Sequence, residues 1–169
     1  MESPQKLPVR KPNRLPDYDY STPGAYFLTV CTQDRKPILG SIVGGGDLDA
    51  PKVALSKAGA VVRKHILLSN RINGVTIDKY VIMPNHIHLI VLVDGKAAGG
   101  TSRAPSPTNA VIPHFVSTLK RFCQREIGGT LFQRSYHDHV IRNEADYLKI
   151  WQYIDGNPSK WKEDCFYTP

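Results

Sequence analysis

The segment Met83-Pro84-Asn85-His86-Ile87-His88-Leu89-Ile90 sets two imidazoles two residues apart in an apolar run. On a strand, side chains at i and i+2 share a face, so His86 and His88 project side by side while Ile87 turns away. Two imidazoles presented this way can ligate one divalent ion and leave room for a third ligand and for substrate oxygens. His-x-His is a weak pattern by itself, met equally by two histidines on a strand with no metal between them.

A second cluster lies near the C-terminal end. At about 100° per residue, Tyr147, Ile150, Trp151 and Ile154 form one apolar stripe of a helix, with Tyr153 on its flank. Asn157, four residues later, falls on the Tyr153 side. The pair suits a nucleophile beside a metal-ligating amide. It suits equally a tyrosine with packed ring and wet hydroxyl, followed by a helix C-cap before Pro158. A third cluster is Gln133-Arg134-Ser135-Tyr136-His137-Asp138-His139-Val140-Ile141-Arg142. Alternation puts Tyr136, Asp138 and Val140 on one face and His137, His139 and Ile141 on the other. Tyr136 is a rival nucleophile, and Asp138 with His139 could bind metal, polarise a neighbour or touch phosphate. A polar edge strand accounts for the same residues.

The elements that must position these groups follow from hydrophobic period and turn residues. Strands are predicted over 26–32, 75–83, 86–93 and 131–142, with a shorter one at 38–43. Helices are predicted over 55–68 and 110–127, the second closed by Gly128-Gly129. Asn143 caps a last helix with Glu144 and Asp146 in its first turn and Gly156-Asn157-Pro158 at its end. The Gly/Pro-rich stretch 94–109 reads as a flexible loop. The order strand, helix, strand, strand, helix, strand predicts an α+β, ferredoxin-like split βαβ fold, an antiparallel sheet with helices on one face and a trailing C-terminal helix. Residues 1–20, with Pro4, Pro8, Pro12 and Pro16 among Lys6, Arg10, Lys11 and Arg14, read as a basic flexible arm, and 21–169 as a single domain.

The chain's 169 residues, 41% hydrophobic and 22% charged, suit one ordinary core. No apolar run reaches the roughly 18 residues of a membrane span, and no apolar signal core is visible at the N-terminus, so neither a membrane nor a secreted protein is expected. Cys31, Cys123 and Cys165 show no CxxC spacing and read as reduced thiols of a cytoplasmic protein. Twenty-two Lys and Arg against fifteen Asp and Glu leave a net charge of +7. That surplus favours an anionic partner, nucleic acid above all.

Three blocks, YVIMPNHIHLIV, FQRSYHDHVIRNEADY and WQYIDGNPSKW, occur in one order, and together they resemble the single-tyrosine HUH transposases, in particular the REP-associated tyrosine transposase branch. The resemblance runs from about Tyr26 to Trp161. Phe132 stands where many relatives carry tryptophan, a change that bears on packing more than on chemistry. The resemblance implies that His86 and His88 are the paired metal ligands, Asn157 the third ligand and Tyr153 the nucleophile, which raises Tyr153 above Tyr136. It implies Mg²⁺ or Mn²⁺ as cofactor, single-stranded or hairpin DNA as partner and a cytoplasmic, nucleoid-associated monomer or homodimer.

The expected reaction is attack by Tyr153 on a phosphodiester, giving a 5′-phosphotyrosine and a free 3′-OH that can reverse the step. Lys120, Arg121, Arg125, Arg134 and Arg142 suit phosphate contacts, with Tyr136, Asp138 and His139 as further DNA-contacting or supporting residues; any of the cations could equally be a solvated surface charge. Two other readings stay open. One is a non-cutting nucleic-acid-binding module of the same fold, and the other a metal-dependent hydrolase that uses water.

Overall fold

The computed structural model of the chain describes residues 15, 18–46, 49–95 and 110–167. The expected loop lies outside them from residue 96, as does most of the expected arm.

Four strands form the main sheet: β1 (Gly24–Cys31), β4 (Val75–Ile82), β5 (His86–Val93) and β6 (His137–Ile141), in the order β4-β5-β1-β6 with every pairing antiparallel. This is the split βαβ arrangement read from the element order. β5 is buried along nearly its whole length, as a strand covered on both faces must be. Leu28 and Val30 of β1 and Ile87, Leu89 and Val91 of β5 point to one face. There they pack with Val62 and Ile66 of α1 (Lys57–Ser69) and Phe115, Leu119 and Cys123 of α2 (Val111–Ile127). The opposite face carries Phe27, Ile90 and Leu92, covered by Ile150 and Ile154 of α3 (Glu144–Gly156). The two internal helices therefore share one face and the C-terminal helix takes the other.

Local signals place the ends of these helices. Asn143 caps α3 by accepting from the Asp146 amide at 2.9 Å, and Gly128 ends α2 in the left-handed conformation. α1 begins at Lys57, two residues later than expected, because Ser56 is its cap and accepts from the Gly59 amide at 3.1 Å. The residues before it form β3 (Lys52–Leu55), which pairs in a separate two-stranded ribbon with β2 (Gly40–Val43); the sequence pattern showed β2, as the short strand at 38–43, but not β3. Gly59 is needed where this ribbon meets α1, since a Cβ there would lie 2.0 Å from the Leu39 carbonyl oxygen.

Two further expectations are corrected. The strand predicted over 131–142 is regular only from His137; before it, Phe132 makes one isolated bridge to Thr32. The carbonyls of Gln133, Arg134 and Ser135 instead converge on the Lys120 ammonium, which donates to them at 2.7, 3.1 and 2.9 Å. Three consecutive carbonyls aimed at one atom cannot alternate in direction as those of a regular strand do. The arm also ends earlier than residue 20: Tyr20 is buried in the core and Tyr18 packs edge-on against it. Among the described residues no helix is long and apolar enough to cross a membrane.

Candidate active site

His86 and His88 leave β5 on the face that α3 covers. The Met83-Pro84-Asn85 turn is closed by the Met83 amide donating to the His86 carbonyl at 2.8 Å, which starts β5 at His86 and so sets that face. Both side chains are essentially inaccessible, and their Nε2 atoms lie 2.9 Å apart. Each ring is held from behind. His86 Nδ1 is 2.9 Å from Asn85 Oδ1, and the Asn85 amide nitrogen donates to the Phe166 carbonyl at 2.7 Å. Asn85 Oδ1 must then accept, so Nδ1 of His86 carries the proton and Nε2 keeps its lone pair. His88 Nδ1 is 2.8 Å from the Thr29 hydroxyl, which can donate or accept.

Burial lowers the His86 pKa to about 4; the Arg35 charge adds to this, while Asp164 opposes it. Burial, and then His86 itself, push His88 well below the usual imidazole range. Both rings are therefore neutral at neutral pH, the state in which imidazole ligates a metal.

Tyr153 reaches this pair from α3. Its hydroxyl lies 3.3 Å from His88 Nε2 and 3.4 Å from Asp164 Oδ2. Its ring stands edge-on to Phe27 at 6.1 Å, and 42% of the residue remains exposed, so the hydroxyl is both held and reachable. Burial, with the Asp164 charge second, raises its pKa to about 12. Asn157 follows one turn later, buried at the C-cap of α3. Its amide nitrogen donates to Asp164 Oδ2 at 3.1 Å, while Oδ1 is buried with no hydrogen-bond partner among the described residues.

Asp164 is a candidate site residue that the sequence pattern did not single out. The 3₁₀ helix Pro158–Glu163 turns the chain back over the sheet and delivers Asp164 to the site, its Oδ2 4.0 Å from His86 Nε2. Its other oxygen accepts from the Phe166 amide at 2.7 Å. Ligand atoms of His86, His88 and Asp164 all lie within 4.8 Å of one another. The neutral nitrogen pair, the carboxylate and the Asn157 oxygen, a buried acceptor with no donor among the described residues, form a donor set that fits a divalent cation. A cavity of about 160 Å³ lined by Tyr153, Asn157, Lys160 and Asp164 opens beside the group.

The other expected residues fall elsewhere. Tyr136 is buried in the core on the opposite face of the sheet, away from the histidines, and so loses its standing as a rival nucleophile. His139 is exposed and bonds Asp146 at 2.7 Å, tying β6 to the first turn of α3 rather than supporting the histidines. Asp138 is half-buried opposite Leu28 of β1. Lys120, Arg121, Arg134 and Tyr136 line one open cavity of about 720 Å³, together with Gln33 and Gln124. Lys120 is engaged there by its three carbonyls, and burial lowers its pKa to about 8. Arg125 and Arg142 are exposed, at the last turn of α2 and just beyond β6.

No family model matches the chain. A protein of Haemophilus influenzae described only as uncharacterized is 28% identical, the match covering 94% of this chain and 93% of that one. The structure of a REP-associated tyrosine transposase bound to a REP hairpin shares the fold, with a TM-score of 0.60 at 21% identity, over 87% of this chain and 73% of that chain. The fold that the sequence blocks imply is thus the fold this structure shares.

Proposed function

We propose that this protein cleaves and rejoins single-stranded DNA through a covalent bond between Tyr153 and a 5′-phosphate, at sites next to hairpins. The observation that carries the reading is the Tyr153 hydroxyl at 3.3 Å from His88 Nε2, itself 2.9 Å from His86 Nε2. The fold shared with a transposase bound to a REP hairpin supports the substrate class. The +7 charge agrees with it.

In this reading the Tyr153 oxygen attacks phosphorus and the bond from phosphorus to the 3′-oxygen breaks. The phenol proton passes to Asp164 Oδ2, and the departing 3′-oxygen takes a proton from water to become a free 3′-OH. Ester is exchanged for ester, so an incoming 3′-OH reverses the step without a nucleotide cofactor. His86, His88 and Asp164, with Asn157 Oδ1, would hold Mg²⁺ or Mn²⁺, which supplies charge neutralisation at the phosphate and favours the phenolate. The phenol needs that help, because at a pKa of about 12 it is protonated at neutral pH. The hydroxyl meets histidines of its own chain, which supports a site complete within one protomer.

The test is incubation with labelled single-stranded DNA containing a hairpin, plus Mn²⁺, read on a denaturing gel. A protein–DNA adduct lost in Tyr153→Phe and His86→Ala but kept in Tyr136→Phe is the expected result. Cleavage without any adduct would favour a water-using hydrolase. Tight binding without cleavage would favour the non-cutting module.

A further inference from the structure

The turn Gln33–Arg35, just after β1, contains two consecutive non-glycine residues in the left-handed region, Asp34 at φ 55° and Arg35 at φ 53°. Every other described residue with positive φ is a glycine. Such backbone is costly for a residue with a Cβ and persists only where the surroundings over-determine it. The surroundings do so here. The Thr32 hydroxyl lies 2.8 Å from the Lys36 carbonyl oxygen and 2.9 Å from that of Asn85, and the Gln33 amide donates to the Leu131 carbonyl at 2.8 Å.

The strained turn holds the Arg35 guanidinium over the Phe166 ring, 5.3 Å from its centroid. That ring lies 4.7 Å from the His86 ring. Arg35 is exposed and, among the described residues, pairs with no carboxylate. The neighbouring Asp34 carboxylate accepts from Gln33 Nε2 at 2.9 Å instead. The turn's first residue, Gln33, also lines the 720 Å³ cavity with Lys120, Arg121 and Arg134. A cation thus stands at the rim of the histidine site, beside the turn residue that reaches a second basic surface, and no carboxylate among the described residues accounts for its position.

We propose that Arg35 is a phosphate-binding residue, contacting a backbone phosphate of the DNA strand where it enters the Tyr153 site. The inference rests on the DNA-cleavage reading above and names a contact within it. A guanidinium presents a planar fork of donors that matches two phosphate oxygens, and stacking on Phe166 keeps that fork oriented.

The experiment measures binding of a fluorescent single-stranded oligonucleotide by anisotropy, at several salt concentrations with Mn²⁺, beside the adduct gel. Wild type, Arg35→Gln, Arg35→Lys and the control Arg63→Gln, on exposed α1 surface, are compared, with melting temperatures for each. Arg35→Gln is expected to bind about tenfold more weakly and to reduce the slope of log K against log salt by about 0.7, the share of one single-strand phosphate contact. Arg35→Lys is expected to restore the slope and only part of the affinity, and Arg63→Gln to match wild type. An unchanged slope and affinity in Arg35→Gln would overturn the assignment, as would an equal loss in Arg63→Gln. Absence of an adduct in wild type counts against the cleavage reading alone, because the salt slope reads Arg35 independently. A wild type that binds no DNA overturns both.

Discussion

Thr29 of β1 and His88 of β5 stand opposite each other in the sheet, and the Thr29 hydroxyl lies 2.8 Å from His88 Nδ1. A hydroxyl serves either tautomer of the ring, so it can accept from Nδ1–H when Nε2 is turned over to a cation. Thr29→Val keeps the shape and removes that choice. It is expected to weaken Mn²⁺ binding by roughly 10–100-fold, as loss of a partner behind a ligating histidine does. Titration calorimetry measures the affinity, and a melting temperature within a few degrees of wild type shows that the loss is local.

The buried histidines make metal-free protein sensitive to acid. His86 titrates at about 4 when folded against an ordinary value of 6.5, so the unfolded chain binds more protons between those limits. The stabilisation is complete above about pH 6.5 and is lost as pH falls toward 4, on the order of 3 kcal/mol at most for this group. Denaturant unfolding at pH 7, 5.5 and 4.5 should show the decline in metal-free protein. A flat profile would mean that the rings are not held neutral.

Asp164 opposes the phenolate of Tyr153 yet offers an oxygen to its proton and to a cation. Asp164→Asn removes the charge. The pH at which adduct formation levels off is therefore expected to move down by about one unit, since the phenol loses one of the causes of its raised pKa. The maximal rate and Mn²⁺ affinity should both fall. Unchanged Mn²⁺ affinity would reduce Asp164 to a proton acceptor.

Ile154 is buried beside Ile90 and Ile150, next in sequence to Tyr153. Ile154→Ala should cost roughly 2–5 kcal/mol and loosen the seat of the nucleophile. Leu119→Ala, in the core on the other face, should cost a similar amount. Compared well below both melting temperatures, adduct formation should drop in the first and persist in the second.

Lys120 closes the segment before β6 by donating to three backbone carbonyls. Lys120→Met should destabilise by about 1.5–3 kcal/mol, the usual contribution of hydrogen bonds made by a charged donor. Faster amide exchange should appear around residues 132–136. A change in DNA affinity without a change in stability would assign Lys120 to phosphate binding instead.

Short-range pattern in the sequence determined the sheet strands, the helices and four members of the site. His86 and His88 share a face because strand period is two, and Asn157 follows Tyr153 because helix period is close to four; both relations hold within a single element. Tertiary structure decided the rest. Asp164 sits in an aperiodic stretch and becomes a neighbour of His86 only when the 3₁₀ helix after α3 folds back. Tyr136 is a rival to Tyr153 on residue pattern alone; the resemblance already places it second, and packing puts it on the opposite face of the sheet. Of the ribbon, β2 was legible, whereas its four-residue partner β3 is too short to show a period, and the segment before β6 was diverted by a lysine thirteen to fifteen residues earlier in the chain. The left-handed backbone at Asp34 and Arg35 has no local cause, since neither residue favours it as glycine does; the hydrogen bonds of Thr32 and Gln33 to distant carbonyls impose it.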